Sequence, residues 1–229
     1  MKTLKESILS RSSHGGEGFK AQRREMIEKW LNEYNIRNYT ISNDYTIDVD
    51  GYVNLVGKDL TEFPEYIQFG VVKGDFDCRD NALTSLRGCP REVGRSFYCD
   101  SNQLTSLEES PREVGKNFIC VRCSELTSLK GAPKKVGDSF YCYNNQLTSL
   151  EGAPEIVKGK FNCSGNKLTS IKGAPKKVGG VFNCSYNNIT SLEGAPKEVG
   201  ENFLCGNNKV KFTEDDVKEV CDVNGKIIC

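Results

Sequence analysis

SFYCYNNQLTSLEGAP, residues 139–154, decides the reading of this chain, because near copies of it fill the middle of the sequence. Its Phe-x-Cys core recurs at Phe76/Cys78, Phe97/Cys99, Phe118/Cys120, Phe140/Cys142, Phe161/Cys163, Phe182/Cys184 and Phe203/Cys205. The step is 21 residues everywhere except one step of 22, between Phe118 and Phe140. A fixed period of this length predicts a solenoid, in which no unit buries its apolar face alone and stacked coils share one continuous core. In Phe-x-Cys two apolar residues flank a variable one, the period-2 pattern of a short strand with one buried face. A Leu-x-x-Leu pair or a variant follows, as in Leu147/Leu150 and Leu168/Ile171, and supplies the rest of the interior. Three residues after the cysteine stands Asn81, Asn102, Asn145, Asn166, Asn187 or Asn208, whose amide can satisfy backbone groups that the coil buries. The third copy has Cys123 there and one residue more before Leu126, which accounts for the single longer step.

Eleven cysteines would suggest a disulfide framework in a small secreted domain. Seven of them recur at one repeat position, so they should stack about 4.8 Å apart on successive strands, all pointing the same way. A disulfide needs Cβ atoms about 3.8 Å apart on converging vectors. The stacked thiols are therefore expected to be reduced, small, buried hydrophobes. Their odd number and the absence of a signal-like apolar stretch in residues 1–13 favour a reducing, cytoplasmic setting.

The pattern L-x-x-F-x-C-x-x-N/C-x-L resembles the leucine-rich repeat, with Phe and Cys in place of the two strand leucines. The segment Leu147–Pro154 is similar to the short repeats of bacterial secreted leucine-rich-repeat effectors, with one residue more per unit. The Cys-bearing units, the entry Leu60–Pro64 and the ending Phe212–Val217 resemble phage-encoded and bacterial leucine-rich-repeat proteins. The resemblance covers roughly residues 50–220. It implies a leucine-rich-repeat solenoid of the α/β class, mostly β, with a parallel sheet on the concave face and irregular, proline-containing convex segments. It also implies a phage or bacterial accessory factor, which would place the protein in a bacterial host cytoplasm. The prolines agree, falling at Pro90, Pro111, Pro133, Pro154, Pro175 and Pro196 in stretches too short for a long helix.

Four segments are expected. Residues 1–18 form a flexible N-terminal segment, with apolar Leu4, Ile8 and Leu9, that could serve as a docking or packaging tag. Residues 19–52 form a helix from Phe19 to Tyr34 and a short hairpin around Asn43-Asp44, capping the array. Residues 53–212 hold a degenerate first repeat, beginning Val53-x-Leu55, and the seven Phe-x-Cys repeats. Residues 213–229 form a C-terminal helical cap, with a helix from Glu214 to Asp222 and a capping box of Thr213 and Asp216. After each Leu-Thr-Ser-Leu unit comes Arg87, Glu108, Lys130, Glu151, Lys172 or Glu193, a column whose sign alternates at every step. Alternation suits a solvated surface, and it would also penalise a one-repeat slip among near-identical units.

Residues for catalysis are scarce, and neither an enzyme nor a cofactor or metal site is expected. The one histidine, His14, lies between serine and glycine, a poor frame for a general base. Cys120-x-x-Cys123 has metal-type spacing but no second pair. Asp48-x-Asp50-Gly51 has the start of a calcium loop without its distal Glu. Gly15-Gly16-x-Gly18 lacks the Gly-Lys-Ser/Thr and preceding strand of a phosphate loop.

Alternation places outward the residue before each Phe, the one between Phe and Cys, and the two after Cys. Of these 28 positions three are basic and four acidic, which argues against a phosphate-tracking groove. With 31 basic and 31 acidic residues, the chain has no overall footprint for nucleic acid or a membrane surface either. The binding-like patch is Tyr98, Ile119, Val121, Arg122, Tyr141 and Tyr143 on three adjacent strands, since aromatics and Arg dominate protein–protein contacts. The expected function is therefore non-catalytic binding of a protein partner through the concave face, by a monomer. Two alternatives stay open: a virion- or assembly-associated structural protein recruited by residues 1–13, and carbohydrate recognition by the same tyrosines.

Overall fold

The computed structural model describes residues 16–229, so the expected tag in residues 1–13 and His14 lie outside the described residues. The described residues begin with helix α1 (Gly16–Glu33). This helix takes in the last residues of the segment expected to be flexible, and Gly16 and Gly18 are helical rather than part of a loop. A hairpin follows, β1 (Tyr39–Ile41) and β2 (Ile47–Val49), paired antiparallel with Tyr39 opposite Val49. From there the chain winds as a mostly β parallel-sheet solenoid. Helix α1 buries Ile27, Trp30 and Leu31, and the Trp30 ring lies 6.2 Å from those of Phe63 and Phe69.

The first sheet has nine strands in sequential order. It opens with β3 (Val53–Asn54), and the Phe-x-Cys units supply β5 (Phe76–Asp77), β7 (Phe97–Tyr98), β9 (Phe118–Ile119) and β11 (Phe140–Tyr141). It continues through β13 (Phe161–Asn162), β15 (Phe182–Asn183) and β17 (Phe203–Leu204) to β19 (Ile227–Ile228). The register is exact repeat on repeat, so Phe97 faces Phe118 and Phe118 faces Phe140. All seven phenyl rings are fully buried, in a column with centroids 5.0–5.9 Å apart. Each removes enough apolar surface from water to contribute about 2–3 kcal/mol.

Beside the rings run the thiols. All eleven cysteines are free, ten of them buried and Cys229 exposed. The stack does more than fill space: Cys78 Sγ donates to Tyr98 O at 3.3 Å, Cys99 to Ile119 O at 3.4 Å and Cys184 to Leu204 O at 3.4 Å. A thiol thus supplies a weak donor to the next coil where valine or alanine would supply none. Burial pushes these thiols up, Cys163 to about 12 and Cys99, Cys120 and Cys142 well above the usual range. Thiolate is the reactive form. Native protein treated with a disulfide reagent at neutral pH should accordingly react quickly at Cys229 alone, the other ten thiols becoming titratable only in denaturant. Rapid labelling of several thiols in the native state would mean that the coils are not closed.

The asparagines carry the next coil contact. Asn166 Nδ2 donates to Cys142 O and Cys163 O, both at 3.0 Å, and its Oδ1 accepts from Leu147 N–H at 3.0 Å. Asn102, Asn145 and Asn187 repeat the scheme. Cys123 keeps one of these bonds, from Sγ to Cys99 O at 3.4 Å.

Two features depart from expectation. The proline-bearing segments are not irregular but form a second parallel sheet, built from β4 (Phe69–Val72), β6 (Glu92–Val93), β8 (Glu113–Val114) and β10 (Lys135–Val136) after the hairpin. A separate continuation holds β12 (Ile156–Val157), β14 (Lys177–Val178), β16 (Glu198–Val199) and β18 (Asp222–Val223). Each of the six prolines from Pro90 to Pro196 is followed three residues on by a buried valine and then, in most coils, by glycine. That glycine is obligatory: a Cβ on Gly115 would lie 2.0 Å from Gly94 O, and one on Gly137 1.9 Å from Gly115 O. The N–H groups of Gly94, Gly115, Gly137, Gly179 and Gly200 each donate at 2.8 Å to a valine carbonyl of the preceding coil. Lys158 occupies this position in the remaining coil and makes no such bond, and β10 and β12 are unpaired.

The second departure is at the C-terminal side. Helix α2 (Glu214–Lys218) has the expected capping box, Asp216 N–H donating to Thr213 Oγ1 at 3.2 Å. It is shorter than expected, because Asp222–Val223 leaves it to pair with β16. The chain then completes another coil, with Ile227 opposite Phe203. Residues 213–229 are thus a helix plus a coil of the solenoid. The alternating charge column forms ion pairs at two steps, Lys130–Glu108 at 2.8 Å and Lys172–Glu193 at 3.0 Å.

Candidate interaction surface

The outer face of the Phe–Cys sheet is a grid whose columns are set by position in the repeat. Residues between Phe and Cys, among them Asp77, Tyr98, Ile119 and Tyr141, are half-buried along the whole array. Two residues after Cys the backbone turns left-handed, with φ of 52° to 57° at Asp80, Ser101, Arg122, Asn144, Tyr186 and Asn207. This turn sends the following Asn or Cys inward. Asn and Asp tolerate that conformation, whereas it disfavours Arg122 and Tyr186 by about 1–2 kcal/mol each.

Sheet register brings Tyr98, Ile119 and Tyr141 side by side on β7, β9 and β11. The Tyr141 and Tyr143 rings meet edge to face at 6.5 Å, and Arg122 stands exposed at the turn. The Arg79 guanidinium lies 5.3 Å from the centre of the Tyr98 ring and 3.1 Å from Asp77. Five of the six expected contact residues therefore share one accessible region.

Val121 does not. It is only 2% exposed, in the column directly after Cys, where Asp100 and Ser185 are also buried. Ser96 and Ser139, expected outward from their place before Phe, are buried too, and their hydroxyls accept backbone N–H groups of the next coil. In these columns Val121, Asp100, Ser96, Ser139 and Ser185 are covered by their neighbours while Tyr143 and Lys160 are not, so alternation along one strand does not report depth.

Asp100 is the residue whose character the pattern missed. It is 7% exposed, and its Oδ1 has no hydrogen-bond partner. Burial pushes its carboxyl up, against the pull of Arg79 and Arg122. Asp77 is pushed up by burial as well, despite its bond from Arg79 N–H and the nearby guanidinium.

Other residues singled out for chemistry have structural partners. Asp48 Oδ1 accepts from Val71 N–H at 2.7 Å, and Asp50 pairs with Lys73 at 3.2 Å. Cys120 is buried in the thiol stack and Cys123 in the asparagine column beside it, and no group of three or more metal-ligating residues occurs among the described residues. No described helix is long and apolar enough to cross a membrane. Comparison with protein-family models, with curated proteins and with solved structures gives no match to this chain.

Proposed function

We propose that this chain is a leucine-rich-repeat-type interaction protein, without catalytic activity, that binds a protein partner through the outer face of the Phe–Cys sheet, taken as concave. Helix α1 with its hairpin and helix α2 act as caps in this reading, and the protein is an accessory factor of a phage or bacterium working in the host cytoplasm. The observation that carries the reading is the cluster of Tyr98, Ile119, Tyr141 and Tyr143 with Arg122, part-exposed on adjacent rungs of a rigid sheet. Rigid aromatics beside an arginine lose little entropy on binding and supply the contacts that dominate such interfaces. Farther along the same column stand Asn162 and Asn183, so these strands form without an apolar residue there, although Leu204 and Ile228 follow at the end of the array.

The test is affinity purification from the native cell with wild type, Tyr141→Ala and Ile119→Asp proteins, each checked for unchanged thermal unfolding. Partner recovery should fall at least severalfold with either variant. Full recovery with both would overturn the proposal.

A further inference from the structure

The face of the second sheet carries a trough that the concave-face reading does not use. It is an open groove of about 1200 Å³ that runs from Val71 on β4 to Ile156 on β12. Five strands bound it, so at about 4.8 Å per coil it is about 19 Å long, the span of roughly six extended residues. Its floor is bare because Gly94, Gly115 and Gly137 have no side chains. At its far end lies the break between β10 and β12, where the N–H groups of Glu155 and Lys158 lack the bonds their counterparts make to the preceding coil. Ile156 stands over this break, 57% exposed.

The charges along the trough are unequal once internal ion pairs are set aside. Glu113 is held by Lys135 and Glu155 by Lys176 at 3.3 Å. Among the lining cations Lys73 is held by Asp50, whereas Lys134 on one wall and Lys158 at the break have no ion-pair partner among the described residues. Glu92 is the one wall carboxylate likewise left over.

From this geometry and charge we infer that the trough is a second binding surface, for an acidic, extended polypeptide segment carrying an aliphatic side chain. The free cations face its carboxylates, the bare floor admits its backbone, the unpaired N–H groups at the break donate to it, and Ile156 covers its aliphatic residue. A nucleic acid fits less well. No aromatic side chain lines the trough for base stacking, and two unpaired lysines are too few to track a phosphate backbone.

The experiment is fluorescence anisotropy of a labelled hexapeptide alternating glutamate and valine, titrated with the full chain. Saturable binding that weakens with added salt is expected, and a lysine–valine peptide should not bind. The Lys134→Glu/Lys158→Glu double variant and Ile156→Asp should each weaken binding by about tenfold or more. All replaced residues are exposed, so circular dichroism should show unchanged folding. Tyr141→Ala should bind the peptide as wild type does, which separates this surface from the Phe–Cys face. Absence of saturable binding, equal binding of the lysine peptide, affinity unchanged in the trough variants, or tighter binding of a single-stranded oligonucleotide through the same residues would each overturn the inference.

Discussion

Replacing Gly137 with alanine will destabilise the solenoid by about 3 kcal/mol, at the upper end of what a forced methyl group costs in a packed interior. The new Cβ would stand 1.9 Å from Gly115 O and 2.6 Å from the Gly115 carbonyl carbon. Both are backbone atoms, which no rotamer change can move aside. Relief requires the two coils to separate, and Gly137 N–H then loses its 2.8 Å bond to Val114 O. Gly18→Ala is the control: beyond the adjoining backbone of its own helix no atom lies within 4 Å of the new Cβ, and in helix α1 alanine should stabilise by about 0.5–1 kcal/mol. Urea unfolding followed by circular dichroism measures both. A Gly137→Ala midpoint equal to wild type would show that the second-sheet coils are not in contact as described.

The second large effect is expected for Asn166→Ala. The substitution removes the amide that serves Cys142 O and Cys163 O and the oxygen that serves Leu147 N–H. Those three backbone groups belong to two successive coils, and alanine leaves a void that water reaches poorly. At about 1 kcal/mol for each lost bond, more where a buried group stays unsatisfied, the loss should reach about 3–4 kcal/mol. Asn188, exposed and with no side-chain bond of its own, should tolerate alanine within about 0.5 kcal/mol. Because coil contacts in a solenoid are nearest-neighbour, hydrogen exchange in Asn166→Ala should rise first at Cys142, Leu147 and Cys163 and spread to either side. Uniform exchange along the array would contradict that division.

The two substitutions probe parts of the fold that were unequally visible beforehand. The asparagine at a constant distance from each stacked cysteine announces an inward amide, because a polar residue repeated so strictly beside apolar ones has to be paired. The glycine ladder was equally regular, yet the stretch around it reads as charged residues, one valine and a glycine. A single buried valine between exposed neighbours makes no period-2 signal, so β6, β8 and β10 looked like irregular chain. The register of the first sheet then imposes pairing on the second, since coils of equal length held together on one side stay together on the other. The second sheet breaks at Lys158, which interrupts the run of glycines between Gly137 and Gly179, while Lys73 and Asn224 hold the same position at the two ends of the array and keep their bonds.

The surface patch divides in the same way. Tyr98, Ile119 and Tyr141 were recognisable as outward because each lies between an inward Phe and an inward Cys. Val121 and Asp100 were placed outward by counting along a strand, but the adjoining coils cover them. The terminal residues show the reverse case. Residues 222–228 resemble the repeats too little to be read as another coil, and become one because β16 and β17 present open edges to them.

By itself the sequence determined the period, the first sheet, its phenyl and thiol columns and the inward asparagines, since all of these follow from residues repeating at a constant interval. Tertiary structure alone decided the second sheet, the break at Lys158 and the true depth of Asp100 and Val121. Those depend on how closely neighbouring coils approach, a distance that no single repeat encodes.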